Sequence, residues 1–168
     1  MANKKIELVP YDEFWKKVFA KESENLAKLL KANFIEAFHI GASAIEKIQS
    51  RPTLDILVVV HTMDGILAFK DEFLRAGFFL DDQSSSLEHF VFNRYGKDDK
   101  SVTLTRVHIF EKTNNELHNY IDFTEYLSAE DEVAQEYQKL REGLLDNELK
   151  YQQAKDFFIE TTLKNLNK

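Results

Sequence analysis

The chain has 168 residues, 43% of them hydrophobic and 12% aromatic with fourteen Phe, which is enough material for a real core in one domain spanning residues 1–168. Its 29 acidic against 22 basic residues give a formal charge of -7, which argues against duplex DNA as a partner, because such binding neutralises phosphates with a basic surface. Without a single Cys, the chain has no disulfide, thiolate metal site or cysteine nucleophile. An apolar run of about eighteen residues is also missing, so the expectation is a cytoplasmic protein with no membrane partner.

Past Pro10, Asp12 is placed to cap a helix in which Trp15, Val18, Phe19, Leu26, Leu29 and Leu30 recur at helical spacing up to about residue 32. "FIEAFHI" (34–40) reads as a strand and "SAIEKI" (43–48) as a short helix. "TLDILVVV" (53–60) is a strand so uniformly apolar that both faces should be covered, which predicts a central position. "MDGILAFKDEFLRA" (63–76) predicts an amphipathic helix, with Thr62 before it, Gly77 at the left-handed cap position and a short strand at 78–80.

The loop "DDQSSSLE" then leads into "EHFVFNRY", the turn "GKDDK" and "SVTLTRVHIF", an antiparallel hairpin with Phe90 and Phe92 on one face. The sheet is therefore expected to be mixed. After "EKTNNE" the chain turns helical: 115–127, a helix starting at Ser128 with Asp131 three residues on, and roughly 150–166. Val133, Tyr137, Leu140 and Leu144 form a stripe read as helix packing.

The chemistry concentrates where a strand ends at Ile40, a Gly41-Ala42-Ser43 turn follows, and Asp55 interrupts the next apolar strand. An ionised carboxylate in such a strand needs a metal, a cationic partner or a proton. Amides exposed at the turn favour anions such as phosphate, and a carboxylate beside them suits the divalent cation that accompanies a phosphate. Position 57, on the same strand face as Asp55, is Leu, so the paired carboxylates of two-metal transfer are incomplete and two ions are not expected. The competing account of Asp55 is a structural anion paired with Arg51, Arg106 or Lys155. His61, His89 and His118 have no companion at metal-ligand spacing and are assigned no chemistry. Ser-His-Asp order, Walker loop and dinucleotide fingerprint are all missing.

"IELVPYDEFW" and "HIGASAIEKIQSRPTLDILV", with the later "RVHIF", "DFTEYLSAEDEVAQEYQKLREGL" and "YQQAKDFFI", resemble the GrpB family over nearly the whole chain. That resemblance implies an α+β, nucleotidyltransferase-like (polymerase β-like) fold: a mixed sheet flanked by helices, with a helical C-terminal part closing over a cleft. Family members usually carry His-Ile-Gly-Ser-Thr where this chain has His39, Ile40, Gly41, Ala42 and Ser43, so one phosphate-cradling hydroxyl is Ala42 here. The family's Lys-Pro is Arg51-Pro52, its aspartate is Asp55, and His108, Tyr151 and Lys155 match its later motifs.

What the resemblance implies is a cleft for a nucleotide or another phosphorylated small molecule. Gly41, Ala42 and Ser43 would hold phosphate, Asp55 would be the catalytic carboxylate and bind Mg2+, and His39, Arg51, His108, Tyr151 and Lys155 would contact the substrate. Catalysis by such a site would be transfer of a nucleotidyl group to a small acceptor. The alternative is a non-catalytic binding or interaction module that kept the fold after losing the two-metal site, and Leu57 speaks for it.

Overall fold

The strands form where β-branched and aromatic residues dominate, and period-2 alternation decides which side chains face which layer. The computed structural model describes residues 5–168. β1 (Phe34–Ile40), β2 (Leu54–Val60), β3 (Phe79–Leu80), β4 (Phe90–Tyr95) and β5 (Thr103–Glu111) make a five-stranded sheet in the order β1-β2-β5-β4-β3. Only β2 and β5 run parallel; the other neighbours are antiparallel, so the sheet is mixed. β2 is buried on both faces as its composition predicts, but β5 takes the centre.

One face is covered by α1 (Phe14–Leu30) and α2 (Lys70–Arg75). Leu26, Leu30 and Phe73 pack there on Leu54, Ile56, Val58, Phe90, Phe92, Val107 and Ile109. The other face meets α3 (Leu117–Ala129), whose Leu117 joins Ile40, Leu57, Val59 and Phe110. α4 (Asp131–Glu142) and α5 (Glu148–Leu166) lean on α3 through a separate cluster of Phe123, Leu127, Ala134 and Tyr137 with Ile45 and Ile48. No helix among the described residues is long and apolar enough to cross a membrane.

Asp12 accepts the Phe14 amide at 2.8 Å, so the expected cap holds the start of α1. The expected helix at 43–48 is reduced to one 3-10 turn, Ala42–Ala44, after which Ile45 is extended. Ile45 and Ile48 are drawn into the helical tail's apolar cluster, and the backbone beyond them is satisfied by α4: Gln49 donates its amide to Gln138 Oε1 and its carbonyl accepts from Arg141. The expected helix at 63–76 starts only after the left-handed Gly65 (φ 79°), as a 3-10 turn, Ile66–Phe69, that passes into α2 at Lys70. Gly77 (φ 87°) does take the left-handed position. Ser128 starts no helix; its hydroxyl donates to the Thr124 carbonyl inside α3, and α4 begins after an extended Glu130.

Candidate functional site

Register places the site. Asp55 is the second residue of β2, with Ile40 across from it on β1 and Arg106 beside it on β5. Gly41 follows Ile40 immediately, with φ 76°, and a Cβ built there would lie 3.2 Å from Asp55 Oδ2. Any L side chain at 41 would be both strained and crowded against the carboxylate. Thr124 on α3 fixes the turn: its hydroxyl accepts the Gly41 amide at 3.0 Å and donates to the Tyr120 carbonyl at 2.9 Å. Ala42 and Ser43 begin the 3-10 turn, so their N–H groups have no acceptor within it.

A cavity of about 720 Å³ opens between this end of the sheet and the helical tail. Gly41, Ala42, Ser43, Arg51, Asp55, His108, Tyr151 and Lys155 all line it. His39 does not. Alternation turns His39 to the opposite face of the sheet, where it stacks on Phe19 of α1 (5.5 Å between centroids) and shares a 2.9 Å hydrogen bond with Ser43 Oγ. The Ser43 hydroxyl is thus engaged by His39, which leaves the backbone amide as the free donor of Ser43. Burial lowers the His39 pKa to about 4, leaving it neutral.

The electrostatics differ from simple pairing. Asp55 makes no hydrogen bond and no ion pair with Arg51, Arg106 or Lys155, yet it keeps some exposed surface. Burial pushes its carboxyl up, while Lys155 and Arg106 pull it down from a distance. Lys155, one turn beyond Tyr151 on α5, is lowered by burial against the pull of Asp55 and Asp156, and it too makes no ion pair or hydrogen bond to the described residues. Arg51 at the rim is committed to Glu148 and lies over the Tyr151 ring, 4.9 Å from its centroid. Arg106 is tethered to Asp81 (3.3 Å) and Ser84 (2.9 Å), with the rest of its surface on the cavity.

His108 Nδ1 and His89 Nε2 share a 2.9 Å hydrogen bond, and Tyr120 covers His108. Burial first, then His89, Arg106 and Lys155, hold His108 well below its ordinary pKa. It therefore supplies a hydrogen bond to the cavity and no positive charge.

The GrpB family profile, described as "GrpB protein", matches residues 5–165. The chain belongs to the GrpB family. The UPF0157 protein YqkA of Bacillus subtilis strain 168 is 27% identical over 166 residues, 96% of this chain and 47% of YqkA, so the chain spans about half of that relative. The crystal structure of conserved protein GrpB from Enterococcus faecalis matches with a TM-score of 0.78 at 21% identity, over 94% of this chain and 99% of that one. A crystal structure of Cid1 poly(U) polymerase with MgGTP bound matches with a TM-score of 0.51 at 13% identity, over 80% of this chain and 45% of that one. This member of the family therefore has an α+β, nucleotidyltransferase-like fold of the polymerase β kind.

The cavity is also lined by residues that the sequence reading did not assign to the site, among them Ser50, Arg106, Tyr120, Thr124, Arg141 and the acidic Asp156. Arg106 was findable, because β2 and β5 were both read as strands and Arg106 shares a face with His108. His89 was findable too: two residues before Val91, which pairs with His108, it must share that face. Thr124 and Arg141 carry no comparable signal, since only the packing of α3 and α4 brings them here.

Proposed function

We propose that this cleft binds a nucleotide or another phosphorylated small molecule. The observation that carries the reading is Lys155, a half-buried ammonium on the cavity wall that makes no ion pair or hydrogen bond among the described residues. A buried charge without a partner is costly unless an opposite charge arrives, and a phosphate is that charge. Lys155 and Arg106 take its oxygens together with the amides at Ala42 and Ser43, as backbone nests do. Arg51 and Tyr151 flank the ligand at the rim, and His108 donates or accepts as a neutral ring. Asp55 accepts a hydroxyl of the ligand. The cavity volume lies in the range of small-molecule sites, roughly 300–1,000 Å³.

A metal pair does not fit. Two ions need carboxylates on one strand face, whereas the second position is Leu57, fully buried among apolar neighbours. Among the described residues no group of three or more His, Cys, Asp or Glu could hold a metal. A single Mg2+ brought in on the ligand's phosphates would find one protein carboxylate, Asp55. Leu57 is also the specific reason to keep a second reading, a binding module without transferase chemistry, since nucleotidyl transfer as this fold performs it relies on the missing pair.

Thermal shift against nucleoside mono- and triphosphates, with and without Mg2+, tests the proposal. A ligand at a hundred times its Kd adds about 2.7 kcal/mol of stability, and Lys155→Met removes most of that gain. No shift with any phosphorylated ligand, or an undiminished shift in Lys155→Met, refutes it. A shift with no turnover of triphosphate favours the binding module.

A further inference from the structure

Arg141 reaches the same cavity from α4 and is 2% exposed, the largest fully buried side chain of the protein's described part. Its Nη2 donates to the Gln49 carbonyl (2.5 Å) and to Gln138 Oε1 (3.1 Å), its Nε reaches the Tyr137 carbonyl at 3.4 Å, and its plane lies over the Tyr137 ring. A guanidinium carries five N–H donors. Those on Nη1 have no acceptor among the described residues, and no carboxylate there stands within ion-pair distance of Arg141.

Ser50 adjoins Gln49, to which Arg141 is bonded. It is 3% exposed, lines the cavity, and its Oγ is buried with no hydrogen-bond partner. The backbone of Ser50 is pinned to Val9 in both directions, at 3.0 and 2.7 Å, which fixes the position of its Cα at the cavity wall. Buried polar groups are nearly always satisfied, and water can serve a hydroxyl but does not neutralise a guanidinium. Lys155 and Arg106 act on Asp55, whereas Arg141 comes from α4 and is held over the Tyr137 ring, 4.4 Å from its centroid.

We infer that Arg141 and Ser50 form a second anion recess in the cleft, taking a phosphate or carboxylate group distinct from the one at Lys155. The inference rests on the reading of the cleft as a phosphate site and narrows its ligand to a small molecule with two separated anionic groups. Arg141 Nη1 and Ser50 Oγ–H donate to the second group, while Gln49 and Gln138 hold the guanidinium flat for it.

The test uses NMR of the full chain with inorganic phosphate as the probe, following the Nε–Hε signals of Arg141 and Arg106 as reporters of the two ends. Both signals move in wild type. In Lys155→Met the Arg106 response collapses and the Arg141 response persists. In Ser50→Ala, a change that removes one hydroxyl and keeps the fold, the Arg141 response weakens roughly five- to tenfold, the size of one lost hydrogen bond, and the Arg106 response is unchanged. If the Arg141 signal stays still while Arg106 moves, the recess is refuted and the Lys155 site stands. If Lys155→Met silences both, there is one site and the recess is again refuted. If neither moves in wild type, both readings fall.

Discussion

The two faces of the sheet treat charge in opposite ways. Beneath α1 and α2 the strands present Leu54, Ile56, Val58, Phe92, Val107 and Ile109, and the charge that intrudes is answered: Arg94 donates to Glu22 at 2.5 Å and lies over Phe78. On the other face the same strands present Asp55, Arg106 and His108. Apolar closure is complete only at the far end, where Val59 and Phe110 meet Leu117. Around the cavity Asp55 and Lys155 face each other without contact, and among the described residues Arg141 has no carboxylate partner. The packed face supplies stability, while the second face keeps Asp55 and Lys155 out of contact beside the Arg51–Glu148 and Arg106–Asp81 pairs, ready for something that arrives. Hydrophobic burial supplies the dominant favourable free energy of folding, so the packed face can carry the cost of the open one.

That division is challenged most strongly at Phe92, which is fully buried on β4 and stacked on Phe73 at 4.0 Å. Phe92→Ala removes a large buried ring and leaves a cavity, at a cost of about 3–5 kcal/mol. Denaturant unfolding measures it. If the faces are independent, the folded fraction of the variant responds to phosphorylated ligands as wild type does; a lost response in protein shown to be folded would mean that the packed face shapes the cleft.

Acid sharpens the contrast next. Burial holds His39, on the packed side, and His89, at the cleft, each at about 4 against an ordinary 6.5. The folded state therefore binds protons less readily than the unfolded one. Their contribution is fully present above pH 6.5, declines as pH falls, and is gone near pH 4. At about 1.4 kcal/mol per pKa unit, discounted for partial exposure, His39 alone accounts for roughly 2 kcal/mol. His39→Gln should flatten the stability curve between pH 6.5 and 4 while leaving the His89–His108 share of the slope. An unchanged slope would show that burial does not keep His39 neutral.

Much of this architecture could be read in the residues, and the parts that could not share one cause. β1 and β2 follow local pattern, as do the hairpin, the Asp12 cap and the left-handed Gly77, because alternation and turn chemistry act over a few residues. The segment Ile45–Ile48 broke its helical prediction because its partners, Leu127 and Tyr137, lie some eighty residues or more along the chain. The cavity divides in the same way. Gly41, Asp55 and Lys155 sit in short motifs, whereas Thr124, Arg141 and Ser50 owe their places to how α3 and α4 dock. His39 was misassigned through one step of alternation: directly before Ile40, which shares the face of Asp55, it had to point to the other side of the sheet.

A small effect on stability and a clear one on function meet at Asp55. Burial raises its carboxyl pKa against the pull of Lys155 and Arg106, so the folded state takes up a proton more readily than the unfolded chain. The sign is opposite to that of the histidines: this contribution favours the fold in acid and is lost as pH rises through the raised pKa. Asp55→Asn keeps the shape beside Gly41 and abolishes the ionisation, but it also removes the negative charge that supports Lys155. The two changes oppose each other, and stability at pH 7 should stay within roughly 1 kcal/mol of wild type. The pH profile above the ordinary carboxylate range should lose the part that falls with rising pH. A ligand hydroxyl would then meet an amide in place of a carboxylate, weakening binding about tenfold, as losing a charge-assisted hydrogen bond does. Calorimetric titration with the best ligand from the thermal screen reads that loss. If Asp55→Asn instead unfolds the chain while binding in the surviving folded fraction is intact, Asp55 belongs with Glu22 as a structural anion, and the line between the two faces would have to be redrawn.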